Sequence, residues 1–311
     1  MAIQRTTILR GPGTAIYNTG DDAVTIHDAS GIVAELETAT GDVPSSVSGT
    51  LDTLKTDQVG RIRLTPCGVL SDDILDILFP DVFRTPSIGA SVFGSADVPL
   101  AVHSVAGTKV TFVNAALTKM PNILLSPVKT AFGEVEFTAL LGLGKAPGDT
   151  NAIFTSASAT YDAGGPDPDG IVGVQYAATF GSLSIADTAD GWTVTPEVTL
   201  EPVQTDLLGT VDYTIAGVSV TATCTPLGLT EAQILAALPI TKGRGASLAG
   251  TNDLVIAGTG GLTVTLKNAT MVTGPLQWGN TTLRAGEVAF RAHRAFSNGE
   301  PGALFDVEIT S

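Results

Sequence analysis

Thr65-Pro66-Cys67-Gly68, followed by Ile74-Leu75 and Leu78, returns later in the chain as Thr225-Pro226-Leu227-Gly228, followed by Ile234-Leu235 and Leu238. Two further stretches repeat in the same order. Val110-Thr111-Phe112-Val113-Asn114-Ala115 comes back as Val264-Thr265-Leu266-Lys267-Asn268-Ala269, and Gly133-Glu134-Val135-Glu136-Phe137 as Gly286-Glu287-Val288-Ala289-Phe290. The separations are 160, 154 and 153 residues. One such match among Gly, Val and Thr carries little weight, but three collinear matches imply two copies of one unit. The expected organisation is a first domain over 1–155, a Gly/Pro/Asp-rich linker over 156–170 and a second domain over 171–311. At 311 residues each copy is long enough to bury its own core.

Most of the chain reads as strands, short Val/Ile/Thr/Phe runs broken by Gly, Pro, Asn or Asp. Glu134–Ala139 and Leu262–Lys267 alternate polar and apolar, so one face of each meets a core. Val211–Ile215 and Val218–Ala222 flank Ala216-Gly217 and predict a hairpin, with a shorter version at Gly60–Leu64. Each copy carries one helix signal. Ser71 caps Asp72-Asp73 and an apolar run stopped by Pro80; Thr230-Glu231-Ala232-Gln233 is a capping box before a run stopped by Pro239. The fold class is therefore mainly β: two tandem related β-sandwich or barrel domains, each with one short flanking α-helix.

Composition narrows the function. The net charge is −15, with 16 acidic and 10 basic residues in 1–155 and 15 and 6 in 156–311. No basic run exists to grip nucleic acid, although an acidic wall can repel DNA and keep it from sticking. Cys67 and Cys224 are too few for a disulfide framework and read as buried thiols. Met1–Arg5 lacks the apolar run of a signal peptide, and no stretch of about 18 apolar residues occurs. The expectation is a cytoplasmic site of production and no membrane partner.

Chemistry is sparse. His27, His103 and His293 are isolated, with no metal-ligand spacing around them. Ser91 misses the spacing of a nucleophile elbow, and Gly142-Leu-Gly144-Lys145-Ala146 lacks the Ser or Thr of a phosphate loop. Asp162, Asp167 and Asp169 lack the spaced ligands of a calcium loop, so a solvated linker fits them better. Glu134 and Glu136 could mimic the paired acids of a glycosidase, but the second copy has Glu287 and Ala289. No catalytic residue, metal site or cofactor is expected, and the chain reads as a building block rather than an enzyme.

The duplicated unit, the two Thr-Pro-x-Gly entries into short helices and the acidic β-rich body resemble the tail tube proteins of long-tailed bacteriophages. The stretch Glu197–Tyr213 (EVTLEPVQTDLLGTVDY) is the most tube-like. The resemblance implies a β-sandwich or barrel with a flanking helix per unit. It also implies that members with two units form rings of three chains with pseudo-sixfold symmetry, which stack into a tube. The homo-oligomer would meet the tape measure, tail tip and terminator proteins, and DNA would pass through without specific binding. Assembly would take place in the host cytoplasm and the product would be the virion tail.

In that reading Glu134, Glu136 and Glu287 are candidates for an acidic lumen face. The stacking elements would be the N-terminal arm with Arg5 and Arg10, the polar loop with Asp42, Ser45 and Ser46, and the C-terminal segment with Phe296 and Phe305. Two alternatives stand beside the tube. One is a hub, connector or decoration protein on the same unit. The other is a two-domain carbohydrate-binding or adhesin module, disfavoured by 5% aromatic residues and by the separation of Trp192 from Trp278.

Overall fold

The computed structural model describes residues 2–45, 49–68, 71–94, 97–126, 130–141, 153–159, 175–205, 209–239, 242–244, 246–248, 252–274, 276–278, 283–294, 296–297 and 300–309. The first half opens with β1 (Ala2–Gly11), β2 (Gly13–Tyr17) and β3 (Val24–Asp28). A long hairpin follows, β4 (Ile32–Ser45) with β5 (Gly49–Leu64), then the short β6 (Pro66–Cys67), α1 (Asp72–Leu78) and α2 (Asp81–Arg84). Next come β7 (Leu100–Ser104), β8 (Thr108–Phe112), β9 (Asn114–Lys119) and β10 (Ile123–Leu125). β11 (Thr130–Phe132), β12 (Val135–Leu140) and β13 (Phe154–Ser158) complete it.

The second half runs β14 (Tyr176–Phe180), β15 (Leu183–Ile185), a second long hairpin of β16 (Asp187–Thr205) and β17 (Gly209–Leu227), and α3 (Glu231–Ala237). β18 (Asn252–Gly258), β19 (Leu262–Thr273), β20 (Leu276–Trp278), β21 (Leu283–Ala285) and β22 (Val288–Arg291) follow. β23 (Phe296–Ser297), β24 (Glu300–Pro301) and β25 (Phe305–Ile309) end the described chain. The protein is mainly β, in several antiparallel sheets.

The two halves have strand orders that run alike. The hairpin sheet of the first half is ordered β1-β4-β5-β12-β9, and the second half has β16-β17-β22-β19. The short-strand sheet is β13-β8-β7-β2-β3-β6 in the first half; in the second, β18 and β25 flank β19, and β14 and β15 lie beyond β18. Registers agree residue by residue. Phe137 faces Ile62 and Leu117, while Phe290 faces Ala222 and Met271. Val113 donates to the Ile153 carbonyl and Lys267 to the Leu304 carbonyl, both at 3.0 Å. The three matched stretches of sequence thus sit at matching places in the two pairing networks.

Alternation explains the core. Ile32, Ala34, Ile62, Leu64, Val135 and Phe137 point inward from the first hairpin sheet, and Trp192, Val194, Ala222, Val288 and Phe290 from the second; all are buried. The short-strand sheets supply Ala15, Val102, Val110 and Phe112, and Ala178, Ile256, Val264 and Leu266. Facing aromatics tie the layers together. Tyr17 meets Phe137 with ring centroids 5.7 Å apart, and Phe180 meets Phe290 at 5.1 Å.

Local signals decide the helices. The Ser71 hydroxyl accepts from the Ile74 amide at 3.3 Å, and Thr230 and Gln233 form a reciprocal capping box. Aligning the caps shifts the helices one residue from the sequence match. Leu75 and Ile234 are the equivalent buried positions, and Leu235 is exposed.

Several expectations are corrected. The hairpin around Ala216-Gly217 does not form, because β17 runs unbroken through it and pairs with β16. Gly217 faces Thr199 and Ile215 faces Leu200, so Ala216 is the extra residue of a β-bulge, whose composition imitates a turn. Gly60–Leu64 likewise belongs to one strand, β5. The polar segment after Thr40 is strand up to Ser45, and residues 156–158 are the end of β13 rather than linker. Ser46, linker residues 160–170 with Asp162, Asp167 and Asp169, and Gly142–Ala146 lie outside the described residues. Cys67 and Cys224 are free thiols, half-buried and buried. Among the described residues no helix is long and apolar enough to cross a membrane.

Phe137 and Phe290 fill equivalent places, so Phe137→Ala and Phe290→Ala should each cost about 3–5 kcal/mol. Urea unfolding of the two variants checks this; a neutral result for either would show that its half is not held by that contact.

Candidate functional site

The hairpin sheet of the first half turns its other face away from the core, and alternation places charge there. Arg5 of β1, Glu35 and Glu37 of β4, Arg61 and Arg63 of β5 and Glu136 of β12 share that face. They form one ladder of alternating sign. Arg5 Nε lies 2.7 Å from Glu37, Glu37 lies 2.9 Å from Arg61 Nε, and Arg61 reaches Glu136 at 2.6 Å. Glu136 is 3.9 Å from Arg63 Nε, and Arg63 closes the ladder on Glu35. Burial opposes the charge on Arg61, but the hydrogen bonds and fields of Glu37 and Glu136 outweigh it and hold the guanidinium more firmly protonated. In the second half the corresponding face carries Thr193, Thr195 and Glu197 on β16, Ser219, Thr221 and Thr223 on β17, and Ala289 and Arg291 on β22.

A second built feature is the joint between the halves. β10–β11 leaves the first half and adds to β16, with Ile123 opposite Val194, Leu124 opposite Thr193 and Leu125 opposite Trp192. Gly191, at φ +85°, makes the close approach possible, since a Cβ there would lie 2.3 Å from the Leu125 carbonyl oxygen. Higher on the hairpin, the segment before β7 lies along the outer edge of β17. The Gly89 and Val92 amides donate to the carbonyls of Ile215 and Tyr213 at 2.9 Å, and the Ile215 amide donates to Ala90 at 3.1 Å. The Asp57 carboxylate accepts from the Thr210 amide at 3.0 Å and hydroxyl at 2.7 Å. Phe79, at the end of α1, packs edge-on against Phe305 of β25 at 6.1 Å.

The residues singled out from sequence fall differently from expectation. Glu136 is neutralised between Arg61 and Arg63, and Glu134 pairs with Lys119 at 3.2 Å, so neither supplies free negative charge. Glu287 is exposed and makes no ion pair among the described residues. Phe305 is 1% exposed and belongs to the joint between the halves, not to a free arm. Arg5 is held in the ladder, while Arg10 is exposed on β1. Asp42 is exposed on β4 and accepts from the Thr53 hydroxyl at 3.1 Å. Ser45 ends β4 and Phe296 opens β23. His27, His103 and His293 are half-buried; His27 and His103 flank Thr14 on either side of β2, while His293 lies in the second half. Burial lowers the pKa of His103 and His293, with Lys109 and Arg291 adding to it. Ser91 makes a bridge to Thr214 in the joint. Among the described residues no three His, Cys, Asp or Glu side chains gather as a metal site.

Sequence reasoning missed Asp57, Gly191 and the segment before β7. The one available signal was Gly31, which stands 160 residues before Gly191 with a left-handed φ of its own, +100°. No protein-family model matches the chain, and no curated protein matches it.

Two outcomes follow. Glu136→Gln removes one rung shared by two arginines that are partly open to solvent; it should cost about 1 kcal/mol, and less at high salt, in urea unfolding. No loss would mean that the ladder is ornamental. Burial first, and Glu287 second, push the Cys224 thiol up to about 12. In the unfolded chain a thiol ionises near ~8.5. Between those values the native protein keeps a proton that the unfolded chain has lost, so stability falls as pH rises. Cys224→Ala should flatten the decline that begins at about pH 8.5 and runs towards about 12, and an unchanged slope would contradict the assignment.

Proposed function

We propose that this chain is a structural subunit of a phage-like tail tube: two copies of one unit, three chains to a ring, rings stacked into a conduit that DNA traverses without capture. The observation that carries the reading is the joint of β10–β11 on β16, which makes one sheet run from the first half into the second. Matching strand orders and registers in the halves support the view that one rule of joining serves six units. A sheet that closes on itself has no open edge. Carrying two units in one chain makes every second joint intramolecular and raises the local concentration of its partner. Ring-to-ring contacts are heterologous and can continue without limit.

The outward face of the hairpin sheets fits a conduit. Arg5, Arg61 and Arg63 are engaged by carboxylates in the first half, and threonines stand in place of Arg61 and Arg63 in the second, which leaves Arg10 and Arg291 among the cations open to phosphate on these faces. The lumen in this reading is charge-balanced and hydroxyl-lined, in place of the acidic wall that Glu134, Glu136 and Glu287 suggest. No catalytic role is proposed for any residue.

Electron microscopy of the purified protein over a concentration range, with mass measurement of the soluble species, tests this. Rings of three chains with sixfold appearance, or hollow filaments, are expected. Single rings that never stack would favour a connector built on the same unit. A monomer at every concentration, even with a tail-tip initiator added, would overturn the proposal.

A further inference from the structure

The second half holds a counterpart of the hairpin that makes the internal joint. Leu276–Trp278 and Leu283–Ala285 stand 153 residues after Ile123–Leu125 and Thr130–Phe132, the separation that also relates Phe137 to Phe290. The two hairpins share an internal register: Ile123 faces Phe132, and Leu276 faces Ala285. β10–β11 adds to β16, whereas β20–β21 pairs with no further strand among the described residues.

The edge that β20 lacks can be located. Thr193 faces Thr223 across the second long hairpin and Val33 faces Arg63 across the first, and 63 and 223 stand in the 160-residue register. Ile32–Ala34 of β4 is therefore the counterpart of Trp192–Val194. Each stretch is preceded by a glycine at left-handed φ, Gly31 and Gly191, and Gly191 is the residue that admits the docked strand.

We propose that β20–β21 of one copy adds to β4 of a second copy, with Leu276 opposite Ala34, Gln277 opposite Val33 and Trp278 opposite Ile32. The inference rests on the ring reading above and names its interchain joint. It also assigns a task to the N-terminal arm. In the single chain Leu9, Arg10 and Gly11 of β1 face Ala34, Val33 and Ile32. The other edge of β4 belongs to β5, so the arm and the second copy need the same row of backbone N–H and C=O groups. Only one can have it. β1 is an internal cap that keeps the edge of the free subunit from pairing at random, and its last residues leave when the ring forms.

A matching pair of edges lies higher on the hairpin. Asp52–Lys55 of β5 stands 160 residues before the stretch of β17 that the segment ahead of β7 covers. It has no strand partner on that side among the described residues, and Leu54 is 52% exposed.

The test uses the full chain with Arg10→Cys and Val33→Cys, an outward-facing pair that leaves the core untouched. Mild oxidation with glutathione disulfide ties the arm to β4, and dithiothreitol frees it in the same molecules, so a folding defect cannot imitate the result. Loss of ring species on oxidation and their return on reduction are expected, with the wild type and the chains carrying only one of the two substitutions, which keep Cys67 and Cys224, indifferent to both. Rings that form equally well with the arm tied would overturn the inference while leaving the tube reading in place. Wild type that forms no rings under any condition would overturn both. Val33→Cys with Gln277→Cys fixes the register: oxidised rings should yield covalently linked trimers, and rings that yield only single chains would overturn the assigned joint.

Discussion

Strand edges govern this protein. A row of backbone N–H and C=O groups left open on a sheet must find water, a cap or another strand. The two long hairpins expose such rows at β4 and β16, and the chain answers each in its own way. β16 receives a hairpin from the other half, and β4 receives the N-terminal arm. Around these choices the remaining contacts fall into place: the Asp57 carboxylate on Thr210, the strand-like pairing of Gly89–Val92 with β17, and Phe79 against Phe305.

The same constraint explains why the outward face is quiet. In the first half it holds charges of both signs at cross-strand distances, so Arg5, Arg61 and Arg63 are each engaged by an anion on the next strand. In the second half threonines and an alanine replace most of these charges, but Glu197 keeps the carboxylate of Glu37 and Arg291 stands on the same face opposite Thr221. Both solutions keep polar groups on the face turned away from the core.

What was legible in the sequence was local or periodic. Ser71, Thr230 and Gln233 sit within one helical turn of the amides they cap, so α1 and α3 could be read directly, whereas α2, which starts after Pro80 with no side-chain cap, could not. The alternation around Phe137 and Phe290 marked the core faces. The failures were of two kinds. Ala216-Gly217 has the composition of a turn, but a bulge makes the same local demand and only the pairing with β16 distinguishes the two. Glu136 looked free because Arg61, its partner, lies 75 residues away. Phe305 looked like part of an arm because Phe79, which buries it, comes from the first half. Non-local pairing decides charge and burial on a sheet, and spacing along one chain does not carry it.

The central claim is that one rule of edge joining operates between the halves and between chains. A cryo-electron microscopy reconstruction of the assembled protein, computed without imposed symmetry, tests it most directly. The account predicts two joints of like geometry in alternation: 123–125 on 192–194 within each chain and 276–278 on 32–34 between chains, with residues 9–11 displaced. A ring in which β1 still covers β4, or in which neighbouring chains meet through surfaces unrelated to the internal joint, would contradict it.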